Sequence, residues 1–496
     1  MNHAKDLSLI IQSRIPLVVI QSHEEDRVLE MIRRLSEELR KPLFHWTVTN
    51  GLRCLDRSHV MQPSREETAK PEAVLDAVRK NRAPGIFVLC DFHPYFENAP
   101  AIVRLLKEIA IGYDHLGHTI ILLSTRLALP EDLKHFSARF DMPMPDEEEL
   151  EQIVREEANR WTRCHQGLKV VAHKSGLQKL VRSLKGLTLT DARRLARNAI
   201  YNDGAITESD LPEVNRAKFE LLGMEGVLSF EYETSSFGEV GGLKNLKRWL
   251  KQRKSAFHKD PRALGLDAPK GIMLLGVQGG GKSLAAKAAA GVWGVPLLRL
   301  DFAALYNKYL GETESNLRNS LKTAELMAPC VLWVDEIEKG VATGDHDSGT
   351  SRRVLGTLLT WMSDRKKSVF IVATSNDISA LPPELVRKGR LDEIFFVDLP
   401  DLESRREIFR IHLAKRKRKP KDFDLPRLSK ETEGYSGAEI EQAVVAGLYQ
   451  AVAKGVPLST EHLLVEIANT RPLSVVMRER IPGLRQWAEQ RTVPAN

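Results

Sequence analysis

The strongest constraint on this chain is the run Gly-Val-Gln-Gly-Gly-Gly-Lys-Ser at residues 276–283. It fits the pattern G-x-x-x-x-G-K-[ST], a loop whose backbone N–H groups surround phosphate oxygens. The apolar run 271–275 precedes the loop, and the helix-forming run 284–289 follows it. In this context the following helix directs its positive N-terminus at the phosphates. The sequence therefore predicts a phosphate-binding α/β domain.

Two side chains of the loop have specific expected roles with ATP and Mg²⁺. The ammonium group of Lys282 can reach the β- and γ-phosphates, and the hydroxyl of Ser283 can bind the metal ion. The predicted nucleotide-binding residues of this segment are Gly276, Gln278, Gly279, Gly280, Gly281, Lys282, Ser283 and Leu284.

Two later apolar runs end in the polar residues that hydrolysis requires. Residues 331–334 lead into Asp335 and Glu336, and residues 369–374 lead to Asn376. We expect Asp335 to hold Mg²⁺ through water, and Glu336 to orient and deprotonate the attacking water. Because ligands of open α/β sheets bind at the carboxyl ends of strands, Asn376 should contact the γ-phosphate and that water. The predicted reaction is hydrolysis of ATP to ADP and phosphate.

Arg387 and Arg390 lie three residues apart, next to Gly389. Such a pair cannot easily serve the phosphate loop of its own chain. It is suited to act as arginine fingers that stabilise charge on the phosphoryl group in a neighbouring subunit. The pair therefore predicts a homo-oligomer.

The motifs together resemble a known family. Residues 237–470 resemble a AAA-type ATPase module, with Phe-Gly-Glu-Val-Gly-Gly at 237–242 before both nucleotide motifs, the Asn and the paired arginines. The runs 349–353, 359–362 and 392–396 are similar to those of the bacterial and plastid AAA ATPases named after a hypothetical chloroplast open reading frame. This similarity extends over nearly the whole chain. It implies a P-loop NTPase fold with a helical lid, and a hexameric ring.

The resemblance also implies roles that spacing alone does not give. Residues 434–440 are similar to the family's small helical lid, in which Gly437 and Ala438 would contact adenine and ribose. Tyr309 and Leu310 match the aromatic–aliphatic–Gly loop that lines the pore of AAA rings and grips an extended peptide. The alternative for Tyr309 is a helix-terminating side chain that packs in the core.

The N-terminal half, residues 17–222, repeats the order of the ATPase module without its chemistry. The apolar run 86–91 takes the place of the strand that ends at Asp335. The segment 21–27, which follows the first strand, has neither glycine nor lysine and carries three acidic residues. It would repel a phosphate. We interpret this half as a degenerate AAA-like α/β domain that does not hydrolyse ATP; the alternative is an unrelated α/β domain with the same strand order.

Length and composition set the organisation. A chain of 496 residues is too long for one core and suggests about three domains. The predicted parts are a degenerate AAA-like domain at 1–150, a helical lid-like segment at 151–222, a linker at 223–240, the AAA ATPase large domain at 241–400, a helical lid at 401–470 and a C-terminal tail at 471–496.

Several features bear on location and partners. The sequence has no apolar run of about 18 residues and no signal-peptide pattern at its start, and its four cysteines are scattered. These features predict a cytoplasmic protein without a membrane span. The net charge of +7 and the basic run 415–421 suggest nucleic acid, but the run has no aromatic residues for base stacking and fits a solvated helix end.

Three functions remain open from the sequence. The leading hypothesis is an ATPase ring that remodels or unfolds a protein client through a central pore. The second is an ATP-gated scaffold with slow turnover. The third, a nucleic-acid motor or loader, depends on charge alone.

Overall fold

The computed structural model describes most of the chain, in two compact units. The described residues are 2–55, 65–223, 227–232, 237–258, 265–306, 313–341, 348–377, 381–385, 387 and 389–496. Unit 1 comprises residues 1–157 and 186–196, and unit 2 comprises residues 158–185 and 197–496.

Unit 1 is built on a sheet of six described strands. Their bounds are β1 Leu17–Gln21, β2 Leu43–Thr47, β3 Gly51–Cys54, β4 Ile86–Cys90, β5 Thr119–Ser124 and β6 Ser137–Asp141. They lie in the order β3-β2-β4-β5-β1-β6, all parallel except β3, which runs antiparallel to β2. Strands β4 and β5 are buried along their whole length, as expected for parallel strands covered on both faces, and they therefore read as continuous apolar runs.

Helices cover the two faces of this sheet. In α2, Val28, Ile32 and Leu35 are buried at the spacing of one helix face. The early helices are α1 Asn2–Gln12, α2 Glu25–Leu39, α3 Arg65–Thr68, α4 Pro71–Lys80, α5 Pro100–Ile111, α6 Tyr113–Leu116 and α7 Glu131–Lys134. The elements that follow along the chain are α8 Glu147–Cys164, β7 Val171–Ala172, α9 Lys174–Leu184, α10 Leu189–Asp203, β8 Ala205–Ile206 and α11 Leu211–Leu221.

Unit 2 contains a second sheet, of seven described strands. Their bounds are β9 Leu228–Glu231, β10 Gly271–Gly276, β11 Leu297–Leu300, β12 Cys330–Val334, β13 Val369–Ser375, β14 Glu393–Val397 and β15 Val493–Pro494. Their order is β15-β14-β10-β13-β12-β11-β9, with β9 antiparallel to β11 and the other pairs parallel.

The helices of unit 2 from α12 onward fall into a layer around the sheet and a separate bundle. The bounds are α12 Lys244–His258, α13 Lys282–Trp293, α14 Phe302–Tyr306, α15 Thr313–Leu326, α16 Ile337–Val341, α17 Ser348–Asp364, α18 Leu402–Lys415, α19 Leu425–Glu431, α20 Gly437–Ala453, α21 Thr460–Asn469, α22 Leu473–Val476 and α23 Arg480–Glu489. Helices α18 to α21 share their own apolar core, with Phe409, Leu413 and Ile440 at its centre. They form the small helical domain beside the sheet.

The two sheets share one strand order. In unit 1 the central strands run β2-β4-β5-β1-β6, and in unit 2 they run β11-β12-β13-β10-β14. In each, the first strand lies between the fourth and the fifth of its set. The predicted fold class, an AAA-type α/β domain with a helical lid preceded by an AAA-like domain, is confirmed.

Two short strands lie where the sequence suggested a linker and a tail. Strand β9 falls inside the segment 223–240, which was assigned to a linker, yet Leu228 is buried in the core of unit 2. Strand β15 pairs with β14, and the carbonyl oxygen of Ala495 accepts hydrogen bonds of 3.1 Å from two N–H groups at the start of α12. Strand β9, within the segment 223–240, is thus an edge strand of the sheet of unit 2.

In the part of the chain that the structure describes, no helix combines the length and the apolar character needed to cross a membrane.

Candidate active site

The phosphate loop connects β10 to α13 and requires glycine at two points. Gly276 has φ 153°, and a Cβ there would lie 2.0 Å from the carbonyl oxygen of Val397. Gly279 has φ 72°, and a Cβ there would lie 3.0 Å from the hydroxyl oxygen of Ser436. Only glycine fits these backbone angles and distances without strain, so the close approach of Val397 and Ser436 requires glycine at both positions.

Lys282 is the first residue of α13, and its side chain lies at the base of the loop. The residue is 7% exposed, and Nζ donates hydrogen bonds of 2.9 Å to the carbonyl oxygens of Gly276 and Val277. Burial lowers the pKa of Lys282 to about 8, against the opposing effect of the nearby carboxylates of Glu338, Asp335 and Glu336. The ammonium group therefore lies inside the loop, held between two of its carbonyl oxygens.

Asp335 follows β12 and has both carboxylate oxygens held. Oδ1 accepts a 2.7 Å hydrogen bond from the hydroxyl of Thr374, and Oδ2 accepts one of 3.1 Å from Arg299. The guanidinium of Arg299 also lies 4.9 Å from the ring centroid of Trp333. These contacts fix the orientation of the carboxylate. Sequence reasoning identified neither Thr374 nor Arg299.

Glu336 and Asn376 are brought together, at the ends of β12 and β13. Asn376 Nδ2 donates a 3.0 Å hydrogen bond to Glu336 Oε1, and Lys339 Nζ lies 2.5 Å from Oε2. The backbone of Glu336 has φ 46°, a left-handed conformation that is uncommon for a residue with a side chain. Its N–H donates to the hydroxyl of Thr374 at 3.1 Å, which holds this conformation. The amide of Asn376 and the carboxylate of Glu336 therefore lie in direct contact at the ends of neighbouring strands.

Glu338 is a third carboxylate at this site that the sequence analysis did not single out. It is 8% exposed, and Oε1 accepts a 2.9 Å hydrogen bond from the backbone N–H of Asn376. Within the described residues Oε2 has no hydrogen-bond partner. Glu338 thus fixes the backbone of Asn376 and contributes negative charge near Lys282.

A cleft of about 440 Å³ joins these groups, within the usual size range of small-molecule sites. Of the predicted residues, those that line it are Gln278, Gly279, Gly280, Gly281, Lys282, Ser283, Leu284, Asp335, Glu336, Asn376, Gly437 and Ala438. Lining residues that the prediction did not name as site residues are Glu239, Val240, Gly241, Leu243, Thr374, Ile408, Ile411, His412 and Glu441.

The helical domain supplies one wall of the cleft. Ile408, Ile411 and His412 follow the i, i+3, i+4 spacing of one face of α18, which is the signal that could have identified them. Burial lowers the pKa of His412, although the carboxylate of Glu441, 3.3 Å from Nδ1, raises it. This wall therefore combines two isoleucines with an imidazole that is paired with the carboxylate of Glu441.

The two arginines lie elsewhere. Arg387 is exposed, and neither it nor Arg390 lines the cleft. Asp392 Oδ2 accepts a 3.0 Å hydrogen bond from the N–H of Gly271, which ties the arginine segment to the start of β10. The phosphate loop leaves the other end of β10, and five steps of about 3.3 Å separate the two ends by roughly 17 Å. Tyr309 and Leu310 lie outside the described residues.

The corresponding place in unit 1 is filled by a side chain. Glu24 follows β1, where the phosphate loop would be, and is 9% exposed. Its Oε1 accepts a 2.5 Å hydrogen bond from the N–H of Leu189, and its Oε2 lies 3.2 Å from Arg27 Nη1. The carboxylate of Glu24 therefore binds the N–H of Leu189 and the guanidinium of Arg27, two groups that a bound anion could otherwise contact.

Unit 1 keeps one contact of the catalytic arrangement. Asp91 Oδ1 accepts a 3.1 Å hydrogen bond from Ser124, as Asp335 does from Thr374 in unit 2. The next residue is Phe92, which is buried in the apolar core and replaces the carboxylate of Glu336. The strand-end aspartate and its hydroxyl contact are thus present in both units, whereas the carboxylate of Glu336 has no counterpart at Phe92.

Family models match the chain in four places. Two describe a SpoVK-like AAA ATPase, its N-terminal domain at residues 3–142 and its second domain at 148–225. The model of the ATPase family associated with various cellular activities (AAA) matches residues 272–399, and the AAA+ lid domain matches residues 422–465.

Relatives match over nearly the whole length. The chain is 34% identical to the AAA domain-containing protein ycf46 of Trieres chinensis, over 97% of this chain and 96% of the relative. It is also 34% identical to the ycf46 protein of Pyropia yezoensis, over 98% of each chain. A proteasome-activating nucleotidase of Aeropyrum pernix is 38% identical over 44% of this chain and 56% of its own length.

Proposed function

We propose that this chain, which belongs to the AAA ATPase family and hydrolyses ATP, forms a ring that uses the hydrolysis to remodel or unfold a protein client. Ring assembly is inferred from the position of the arginine pair. The length of β10 separates the pair from the cleft of its own subunit. Fingers so placed can complete a site only in a neighbour. The likeness to a proteasome-activating nucleotidase and the Tyr309-Leu310 motif support a protein client.

The residues present fit Mg²⁺ as the metal. Asp335 and Ser283 both line the cleft, and the contacts from Thr374 and Arg299 orient the carboxylate. A carboxylate, a hydroxyl and water are the oxygen ligands that Mg²⁺ prefers. When bound, the ion would neutralise charge on the β- and γ-phosphates.

The other roles belong to side chains of this chain. Lys282 would exchange its two carbonyl contacts for phosphate oxygens, because a charged acceptor makes the stronger hydrogen bond. Glu336 would take the proton of the attacking water, and Asn376, 3.0 Å away, would hold that water in line. Gly437 and Ala438 would contact the adenosine from the helical side of the cleft.

The alternative with an observation in its favour is the ATP-gated scaffold. Unit 1 keeps the strand order of a nucleotide-binding domain, yet Glu24 fills the place of a phosphate. Such a unit is suited to binding a partner rather than to turnover. The described residues give no comparable support to a nucleic-acid motor or loader, since Arg416 of the basic run is paired with Glu441 at 2.9 Å.

The proposal is tested by measuring ATP hydrolysis with an unfolded protein, a short peptide or DNA added. We expect the unfolded protein to stimulate turnover, and Tyr309→Ala to keep the basal rate while losing the stimulation. Tyr449→Ala, at a tyrosine that is 73% exposed on α20, is the control. Stimulation by DNA alone would reject the protein client. A lower melting temperature with reduced basal turnover in Tyr309→Ala would indicate that the Tyr309 side chain packs in the core and does not grip a client.

The arginine fingers give a separate prediction. Arg387→Ala should bind ATP normally but hydrolyse it about 10³-fold more slowly, the lower end of what a finger contributes. Mixing it with a Lys282→Ala protein should restore part of the activity, because some interfaces then pair an intact site with an intact finger. The control is Arg410→Ala, at an exposed arginine of α18. Absence of rescue, with subunit mixing shown by co-purification of differently tagged chains, would contradict action across an interface.

The lowered pKa of Lys282 predicts a pH dependence of ATP binding. The pKa is about 8 in the free protein, and the phosphates would raise it by favouring the ammonium form. ATP binding then takes up a proton above about pH 8, so the Kd should rise by up to about tenfold per pH unit there and stay flat below. Calorimetry in buffers of different ionisation heat measures this uptake. A flat Kd from about pH 7 to pH 9.5 would contradict it.

A further inference from the structure

Outside the nucleotide cleft, three metal-ligating side chains converge in unit 1. His45 Nε2 lies 3.3 Å from Cys90 Sγ and 3.5 Å from Glu25 Oε1, and the three atoms all lie within 4.8 Å of one another. They come from three elements: His45 from β2, Cys90 from the end of β4 and Glu25 from the first turn of α2. Residues this far apart in sequence meet only because the sheet brings these elements together.

The spacing is close to that of a tetrahedral zinc site. Bond lengths of about 2.3 Å to sulfur and about 2.0–2.1 Å to nitrogen or oxygen give ligand–ligand distances of about 3.6 Å for S···N and about 3.3 Å for N···O. The observed 3.3 Å and 3.5 Å differ from these by only a few tenths of an ångström. Two of the three ligand–ligand distances are therefore already close to those of a zinc site, and all three atoms lie within 4.8 Å of one another.

The ligand set and its exposure select the class of ion. A thiolate, an imidazole and a carboxylate together suit a borderline-soft divalent ion such as Zn²⁺, whereas Mg²⁺ and Ca²⁺ prefer oxygen ligands alone. Cys90 is 3% exposed, His45 is partly buried, and the side chain of Glu25 is 46% exposed. The group thus has a closed inner end and an open outer end, through which an ion and a water ligand can enter.

We propose that unit 1 binds one zinc-class ion through Glu25, His45 and Cys90, with water as the fourth ligand. On binding, the thiol of Cys90 gives its proton to solvent and the sulfur forms the metal bond. The ion ties the start of α2 to β2 and β4, near the carboxyl edge of the sheet, the edge that carries the nucleotide cleft in unit 2. Unit 1 then uses a metal ion to hold together elements that unit 2 arranges around its cleft.

The test uses the full chain, stripped of metal with a chelator and titrated with Co²⁺ as the probe. We expect one Co²⁺ per chain, with a sulfur-to-cobalt charge-transfer band in the near ultraviolet, displaced by Zn²⁺. Cys90→Ser should lose the band, and Glu25→Gln should weaken the Kd at least roughly tenfold, the smaller loss seen even for outer-shell partners. The matched control is Cys54→Ser, at another buried cysteine of the same sheet, which should bind Co²⁺ as the wild type does.

Three outcomes would overturn the proposal: no charge-transfer band in the wild type, a band that persists in Cys90→Ser, or a band lost equally in Cys54→Ser. If Cys90→Ser fails to fold, Glu25→Gln decides, because this exposed side chain can change without disturbing the core. An unchanged Kd for Co²⁺ in folded Glu25→Gln would then reject the site.

Discussion

Replacing Lys282 by alanine is expected to abolish ATP hydrolysis and to weaken ATP binding below detection in a direct titration. Lys282 is the one cation among the residues of the phosphate loop, and its Nζ already occupies the base of that loop. Alanine leaves the phosphates with backbone N–H groups alone. Removing one preorganised charge-stabilising donor typically costs about 10²–10³ in rate, and here the lost donor also carries a full charge.

The matched control for this change is Lys287→Ala. Lys287 lies five residues further along α13, pairs with Glu231 at 3.1 Å and does not line the cleft. It should bind and hydrolyse ATP at near wild-type levels. Isothermal titration and phosphate release measure the two properties, and a thermal melt shows whether each variant is folded. Turnover above about a tenth of wild type in folded Lys282→Ala would contradict the assignment of the site.

The phosphate side of the site could be predicted from the sequence because it is local. The end of β10, the five-residue loop 277–281 and the start of α13 contain the whole predicted cradle, and the required glycines are visible in the motif itself. Asp335, Glu336 and Asn376 were predictable for a related reason. Asp335 and Glu336 directly follow β12 and Asn376 directly follows β13, two fully buried parallel strands whose carboxyl ends share one edge of the sheet.

In the cleft wall that the helical domain supplies, only Gly437 and Ala438 were predicted, and they came from the family resemblance. Ile408 and His412 lie more than 120 positions after Lys282, and they reach the cleft only through the packing of the helical domain. Glu338 was missed because a glutamate on the first turn of a helix is ordinarily solvated. Its burial follows from the packing of α16 near the end of β13.

The short edge strands β9 and β15 were not predicted from the sequence. Strand β9 has four residues and β15 has two, too few for a period-2 pattern to be recognised. Both are specified by the sheet edge they cover rather than by their own composition. The long interior strands needed no such context.

In the N-terminal half, the charge of one segment was the basis for predicting that no nucleotide binds there. Three acidic residues in the segment 21–27 predicted repulsion of a nucleotide. The structure adds a more specific arrangement, in which Glu24 takes the N–H of Leu189 and the cation of Arg27 for itself. Because this carboxylate is buried, restoring a glycine-rich loop would also require removing it and rebuilding these two contacts.

Replacing Glu336 by glutamine is expected to leave ATP binding intact and to lower turnover by about 10²–10⁴-fold, the usual contribution of a positioned base. Glutamine has nearly the same shape, and its carbonyl oxygen can still accept the 3.0 Å hydrogen bond from Asn376 Nδ2. It cannot take a proton from water. The variant should therefore accumulate in the ATP-bound state. Gel filtration followed by analysis of the bound nucleotide measures this state directly.

Two further variants show whether the loss comes from the base or from its surroundings. Lys339→Gln removes the ion pair with Glu336 but keeps the carboxylate, and since Lys339 lies on the surface it should retain most of the turnover. Glu338→Gln tests the other buried carboxylate, whose Oε2 has no hydrogen-bond partner within the described residues. If Glu336 is the base, Glu338→Gln should slow the reaction less than Glu336→Gln, because it disturbs Asn376 without removing the proton acceptor. Near-normal turnover in Glu336→Gln, with loss in Glu338→Gln, would move the role of base to Glu338.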